Sequence, residues 1–316
     1  MNFGVCSKKE GEAILINLLF ILKDTSKSLD QNYFFFEQEL SKWTNLMVWR
    51  ESGRISSILQ KIKKKPDFIL VVNDLGDRIF PVIKELSSID IPSGLIVNDV
   101  HRFTELRRNF IKKNNIQHIF SITRDKFYES YPESKNRMEW FPHFVNTDIY
   151  KDYFLKKEID LLMMGAVNDV YPLRKKVLET YRNNPSFVYH EHPGYRNLNE
   201  KGYVKEKYAK EINRSKIFFT CPSIYKYPVM KYYEVLACNT LLLAPNFKEL
   251  EDLGFIAGTH FVDINESNFR IKAEYYLKNE VERRRITQQG YDFVNKYHSI
   301  QVRARQFINK IYELIY

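Results

Sequence analysis

The segment from Thr220 to Asn246 combines residue types at a spacing suited to binding an anionic ligand. A strand-like run ends at Thr220, a loop with two prolines follows, and a predicted helix then carries Glu234 in its early turns. The N-terminus of a helix presents free N–H groups and a positive potential, which suit a diphosphate. One turn further on, the Glu234 carboxylate can accept hydrogen bonds from two vicinal hydroxyls of a ribose. The pattern indicates a nucleotide site, although an isolated helical glutamate is more often a solvated surface residue.

A second group of polar residues follows the predicted strand at residues 94–98. In open sheets of parallel strands, ligands bind outside the carboxyl ends of the strands, so residues just after a strand face a cleft. Asp99 and His101 lie at such a position, and either side chain could transfer a proton or contact a hydroxyl. A solvated loop explains the same residues equally well.

Two histidines, His190 and His192, lie at a spacing that directs both to one side of a strand, as metal ligands require. No third ligand is evident nearby in the sequence, and there is no persuasive Asp-x-Asp motif. We therefore expect neither a metal nor a cofactor. Helix N-termini and cations would stabilise the charge of a diphosphate, with Arg174, Lys226 and Lys231 as the candidates.

Near the N-terminus, residues 7–11 form a turn between a predicted strand and a predicted apolar helix. Gly11 would allow the backbone to approach a sugar or a phosphate closely. A single glycine is not a G-x-G-x-x-G fingerprint, so no dinucleotide site is indicated. An ordinary strand-to-helix turn also accounts for this glycine.

These candidate residues are positioned by alternating strands and helices, a pattern typical of parallel sheets with crossover helices. In the first half, strands are predicted at residues 2–6, 33–36, 68–73, 94–98 and 118–122, and helices at 11–23, 54–64, 78–86 and 103–113. In the second half, strands are predicted at 159–165, 187–190, 217–220, 241–244 and 260–262, and helices at 173–181, 204–215, 230–238 and 269–277. Two further helices, 281–297 and 300–315, follow.

The 316 residues exceed what one hydrophobic core usually fills, so we expect two doubly wound α/β domains. Residues 140–157 are the predicted interdomain connection. The expected boundaries are 1–150 for the first domain, 151–298 for the second, and 299–316 for a helix that returns to the first.

The composition, 44% hydrophobic and 28% charged, is that of a globular protein. Three cysteines without a C-x-x-C pair argue against a disulfide framework or a zinc site. The longest apolar stretch, residues 13–22, is too short to span a bilayer, so a cytoplasmic protein is expected. The net charge of +10 is compatible with an anionic or lipid-linked acceptor and with peripheral contact at the inner membrane face. Dispersed basic groups and the lack of a nucleic-acid motif disfavour nucleic acid.

The stretch Lys231-Tyr-Tyr-Glu-Val-Leu-Ala-Cys-Asn-Thr-Leu-Leu-Leu-Ala-Pro resembles the donor-site segment of GT-B glycosyltransferases, which typically reads Glu-Ala-Leu-Ala-Cys-Gly before a hydrophobic strand. Residues 140–148, 160–165, 171–174, 258–262 and 290–291 also resemble segments of these enzymes, in the same order. The sequence is also similar to the group of the spore maturation protein CgeB.

This resemblance implies a GT-B architecture, in which two Rossmann-like domains face a cleft. It also implies that the protein is a glycosyltransferase, which moves a sugar from a nucleoside diphosphate sugar to a hydroxyl acceptor with retention of configuration and without a metal. Glu234 would then bind the donor ribose. The other donor-side candidates are Gly165, Arg174, Ser223, Tyr225, Lys226, Tyr227, Lys231 and Asn246, and the candidates on the acceptor or sugar side are Gly11 and His143.

Two positions depart from the family pattern. Retaining members often carry a second glutamate eight residues before the first, where this sequence has Lys226, and Asn239 replaces the usual glycine at the helix end. Two alternatives stay open: a nucleotide-sugar epimerase on the same fold and a non-catalytic nucleic-acid or glycan-binding module. The sequence does not specify the base, the sugar or the acceptor.

Overall fold

The computed structural model describes residues 15–72, 80–194 and 202–316. The predicted strand at residues 2–6, the turn at Gly11 and most of the apolar segment that follows it lie outside these ranges. The same is true of residues 73–79, which follow a strand of the first sheet.

Two parallel sheets form the centre of the molecule. The first sheet has the strand order β2-β1-β4-β6-β7-β8, and the second has the order β10-β9-β11-β12-β13. The strands of the first half are β1 (Asn17–Ile21), β2 (Asn45–Trp49), β3 (Gly53–Arg54), β4 (Phe68–Val72), β5 (Ile83–Lys84), β6 (Ser93–Val97), β7 (His118–Ser121) and β8 (Met138–Trp140), of which β3 and β5 pair separately. Those of the second sheet are β9 (Ile159–Met164), β10 (Phe187–His190), β11 (Ser215–Phe219), β12 (Leu241–Ala244) and β13 (Val262–Asp263).

Helices cover both faces of each sheet, so the apolar side chains of every long strand divide between two cores. The helices are α1 (Asn32–Leu40), α2 (Ile55–Leu59), α3 (Thr104–Lys113), α4 (Asp125–Ser130), α5 (Pro172–Tyr181), α6 (Lys205–Asn213), α7 (Lys231–Ala237), α8 (Lys248–Asp252), α9 (Phe269–Lys278), α10 (Glu280–Tyr297) and α11 (Ile300–Ile315). Short 3₁₀ turns lie at Leu86–Ser88 and Pro132–Arg137. Within the described ranges, no helix is both long enough and apolar enough to cross a bilayer.

The start of the described chain corrects two of the sequence predictions. Residues 17–21, predicted as helix, form strand β1, and residues 33–36, predicted as strand, lie in helix α1. The run from Leu18 to Leu22 is fully buried, because a strand inside a parallel sheet is covered on both faces and therefore reads as an uninterrupted apolar run. In α1 the buried side chains Tyr33, Phe36 and Leu40 recur at helical spacing.

The last helix returns to the first sheet, as predicted. The Ile300 N–H donates to the Val145 carbonyl at 2.9 Å, which fixes the start of α11 beside the interdomain connection. From there Phe307 packs against Phe36 and Phe120, with ring centroids 5.3 and 4.7 Å away. Helix α11 is therefore part of the core of the first sheet.

Gly290 allows helix α10 to pack closely against α7 and the segment before β13. A Cβ atom at this position would lie 2.3 Å from the His260 carbonyl oxygen and 2.9 Å from the Leu236 Cδ2. We expect Gly290→Ala to lower the free energy of unfolding by about 1–3 kcal/mol, because overpacking outweighs the helical preference of alanine. Urea unfolding measures the change. Gly53→Ala is the control, since among the described residues no heavy atom beyond its chain neighbours lies within 4 Å of its Cβ position. Equal stability of the two variants would contradict the prediction.

Candidate active site

The second sheet has its topological switch point between β9 and β11, because β10 lies on one side of β9 and β11 on the other. In sheets of this order, a crevice opens there at the carboxyl ends of the two strands. Arg174 of α5 bridges it. Its guanidinium donates to the Ala166 carbonyl at 3.2 Å, and on the other side to the Thr220 hydroxyl at 3.1 Å and the Cys221 carbonyl at 3.2 Å.

Gly165 directly follows β9 and has a left-handed backbone, with φ of +129°. A Cβ atom here would lie 3.1 Å from the Lys231 Cε and 3.4 Å from the Arg174 Nη1. Glycine is therefore required by the backbone conformation and by the close approach of both cationic side chains. These contacts place Arg174 and Lys231 side by side at the switch point.

The Arg174–Lys231 pair lacks a counter-ion among the described residues, since no carboxylate lies within 4.0 Å of either side chain. Burial and the neighbouring Arg174 charge lower the pKa of Lys231 to about 8, against the opposing effect of Glu234. The Arg174 Nε is buried and has no hydrogen-bond partner in the described structure. Two adjacent cations held without a carboxylate form a site for an anion.

Glu234 lies one turn into α7, and only 6% of it is exposed. The Tyr208 hydroxyl donates to its Oε2 at 3.2 Å, and the Tyr150 hydroxyl also hydrogen-bonds the carboxylate. Burial raises the pKa of Glu234, opposed by Lys231 and by the two tyrosines. The carboxylate is thus fixed beside the cation pair and held by hydroxyl donors of the kind that a ribose would supply.

The loop between β11 and α7 crosses the cleft to the first domain. The Tyr225 ring stacks on the His101 ring with centroids 3.8 Å apart, and the Tyr227 hydroxyl lies 3.0 Å from the His101 Nδ1. The pKa of His101 is lowered, mainly by burial. His101 therefore joins the two halves of the molecule, whereas Asp99 pairs with Arg102 at 3.4 Å.

Two other residues of this loop differ in their surroundings. Ser223 is buried, and its hydroxyl accepts a hydrogen bond from the Tyr225 N–H at 3.3 Å. Lys226 is exposed, with a left-handed φ of 55°. The structure describes no polar contact of its ammonium group, so Lys226 is not part of the cation pair.

The remaining predicted residues lie around this centre. Asn246 follows β12, and its amide donates to Glu251 at 2.7 Å while its Oδ1 is buried without a partner in the described structure. His143 packs edge-on against Tyr233, with ring centroids 6.3 Å apart, and burial lowers its pKa to about 4. Gly11 lies outside the described residues.

His190 ends β10 and His192 follows the strand, and the two histidines have separate partners. The His190 Nε2 lies 2.9 Å from the Glu211 Oε1, and the His192 Nδ1 accepts from the Gly194 N–H at 3.0 Å. The pKa of His192 is lowered by burial and by the Lys231 and Arg174 charges, which places it near the cation pair.

A carboxylate for which the sequence predicted no role joins the two halves. Glu249 of α8, 1% exposed, accepts from the Thr123 hydroxyl at 2.9 Å, from the Arg124 N–H at 2.9 Å and from the Asp125 N–H at 3.1 Å. Arg124 also pairs with Asp252 at 2.6 Å. Because its partners lie about 125 residues away, no local pattern identifies Glu249.

Comparisons with known proteins concern the fold of the chain and one matching segment of its sequence. Residues 170–309 match the model of the family described as glycosyl transferase-like. The crystal structure of HepE from Anabaena, in complex with UDP and glucose, superposes with a TM-score of 0.62 and 6% sequence identity over 94% of this chain and 100% of that chain. The chain has the GT-B fold. A comparison with curated proteins gives no match.

Two further structures are similar to this chain over most of its length. Sucrose-phosphate synthase from Thermosynechococcus elongatus has a TM-score of 0.61 and 10% identity over 95% of this chain and 99% of that chain. A candidate UDP-N-acetylglucosamine 2-epimerase from Listeria monocytogenes has a TM-score of 0.50 and 13% identity over 94% and 96%. The predicted fold class is confirmed. At these identities the similarity establishes architecture, and the residues of the site carry the functional argument.

Proposed function

We propose that this protein is a glycosyltransferase that moves a sugar from a nucleoside diphosphate sugar to a hydroxyl acceptor. One observation carries the proposal: the Arg174–Lys231 pair lies at the switch point of the second sheet, and Glu234 lies one turn after Lys231 on helix α7. The two cations would bind the charge of a diphosphate, and the Glu234 carboxylate would accept hydrogen bonds from the hydroxyls of a ribose. The family match over residues 170–309, which contains all three residues, supports the same reading. So does HepE, a protein of this fold that binds UDP and glucose.

In this proposal the cation pair stabilises the charge that develops on the departing diphosphate. Tyr225 and Tyr227 close over the donor and exclude water through their contacts with His101. The catalytic assignment of Asp99 and His101 and the acceptor-side assignment of His143 stay predictions. Independence from metal also stays a prediction.

The finer assignments come from the resemblance and from the net charge. Membership of the CgeB-like group and retention of configuration come from resemblance alone, and retention loses support where Lys226 stands in place of the second glutamate. An anionic or lipid-linked acceptor and peripheral membrane contact are supported by the net charge of +10.

A nucleotide-sugar epimerase is the second candidate, because the Listeria protein has the same overall arrangement. Such an enzyme would convert or release the sugar without an acceptor. Product analysis after incubation with donor alone and with donor plus an acceptor mixture separates the two functions.

The deciding experiment is a thermal-shift screen with UDP, GDP, ADP, CMP and TDP and their sugars. A ligand at 100 times its Kd stabilises the folded chain by about 2.7 kcal/mol, so one nucleotide series should raise Tm by several degrees. If no nucleotide raises Tm and binding to polyanions falls steeply with salt, a non-catalytic binding module replaces the proposal.

A further inference from the structure

Asp30 lies on the connection between β1 and α1, at the carboxyl edge of the first sheet. The switch point of this sheet falls between β1 and β4, so the connection after β1 borders the crevice of the first domain. The Asn32 N–H donates to the Asp30 Oδ1 at 2.9 Å, and the side chain is open to solvent. The carboxylate is therefore held by its backbone neighbour and stays accessible.

The start of α1 contacts the donor site of the second domain. The Asn32 Nδ2 donates to the Met230 Sδ at 2.8 Å, and Met230 directly precedes Lys231. Asp30 interacts electrostatically with Glu234 and Tyr150 across the cleft and with Asp99 in its own domain. These relations place Asp30 on the wall that faces the donor site.

Asp30 has no cationic partner within 4.0 Å among the described residues, in contrast to Asp99, which pairs with Arg102. Although solvent reaches it, the walls of the cleft remove part of its hydration, and this effect together with the Asp99 charge raises the pKa of Asp30. Within the described part of the chain, one wall of the cleft thus has a carboxylate without a cationic partner, and the other has the Arg174–Lys231 pair without a counter-ion. A sugar bound through its diphosphate would stand between them.

We propose that Asp30 is the catalytic residue that accepts the proton of the acceptor hydroxyl. This inference rests on the proposed glycosyltransferase function. The hydroxyl proton moves to the Asp30 carboxylate while the hydroxyl oxygen forms a bond to the anomeric carbon. The bond from that carbon to the diphosphate breaks, and the diphosphate leaves with the electron pair beside Arg174 and Lys231.

This arrangement has a stereochemical consequence. The attacking oxygen comes from the wall of the first domain and the leaving group departs toward the second, so the anomeric configuration inverts. His101 is less suited to the role, because its Nδ1 contacts Tyr227 and its ring is covered by Tyr225. Inversion is the opposite of the outcome that the resemblance implies.

The test uses UDP-glucose, or the nucleotide α-sugar that raises Tm most in the screen, with water as the acceptor. Asp30→Asn should lower kcat about 10²- to 10⁴-fold with unchanged Kd for the nucleotide. Proton NMR of the sugar released by the wild-type protein should show the β-anomer first. Azide is an anionic nucleophile that attacks without the help of a base. Added azide should therefore restore the reaction of Asp30→Ala, with a β-glycosyl azide as the product.

Asp24→Asn is the matched control, because Asp24 lies in the same connection and accepts from the Ser26 N–H at 2.8 Å. It should keep wild-type activity. Wild-type turnover by Asp30→Asn, or release of the α-anomer first, overturns the role of Asp30 and leaves the proposed function intact. A wild-type protein that binds no nucleotide sugar overturns the proposed function and this inference together.

Discussion

Lys231→Met is expected to weaken binding of the nucleoside diphosphate about 10- to 100-fold without lowering the stability of the protein. Charged hydrogen bonds contribute about 1.5–3 kcal/mol, and methionine removes the charge while it keeps most of the side-chain volume. Because burial and Arg174 lower the pKa of Lys231 to about 8, the charge is unfavourable in the free protein. Isothermal titration calorimetry measures the affinity, and a thermal melt of the free variant should give a Tm equal to or above that of the wild type.

The pH dependence gives a second readout of the same residue. A bound diphosphate raises the pKa of Lys231 above its value of about 8 in the free protein, so binding takes up a proton above pH 8. Affinity should be constant near pH 7 and should fall as the pH rises through 8 toward the higher pKa of the complex. In Lys231→Met this fall should disappear.

Two other lysines serve as comparisons. Lys176 is exposed on α5, close in sequence to Arg174, and Lys176→Met should bind the nucleotide as the wild type does. Lys226→Met tests the sequence prediction directly. If Lys226→Met loses much affinity for the nucleotide and Lys231→Met does not, the diphosphate lies along the loop and the cation pair is not its site.

Glu234→Ala is expected to weaken donor binding by about 1–3 kcal/mol, a factor of about 5 to 150, because the ribose hydroxyls lose a charged acceptor. The carboxylate is buried and already holds the Tyr208 hydroxyl, so Glu234→Gln is a useful companion that keeps the shape of the site. Calorimetric titration with the nucleotide found in the screen gives both affinities.

The nucleotide itself supplies the matched control for Glu234. The wild type should bind the 2′-deoxynucleotide more weakly than the ribonucleotide, and Glu234→Ala should bind the two equally. Equal weakening of both nucleotides would mean that Glu234 stabilises the site and does not contact the ribose.

The candidate residues that could be predicted from the sequence are those whose neighbours are close along the chain. Gly165 directly follows β9, and Arg174 and Glu234 lie in the first turns of the helices that follow β9 and β11, so their positions near strand ends could be predicted from the local sequence. The prediction of helix at residues 17–21 was wrong because an apolar run buried on both faces has no period. No role was predicted for Tyr208 and Glu249, because the hydrogen-bond partners of each lie in a distant part of the chain. None was predicted for Asp30, because the donor site that it faces is formed by residues about 200 positions away.

The packing of helix α11 in the first domain affects how that domain folds while the chain is being synthesised. Ile300, Phe307 and Ile311 fill the core of the first sheet, although about 280 residues separate α11 from β1. Domains usually fold from the N-terminus as the ribosome releases them. Here the first domain keeps part of its apolar surface uncovered until residues 300–315 have left the ribosome. We therefore expect nascent chains that end before residue 300 to bind chaperones and to aggregate when released.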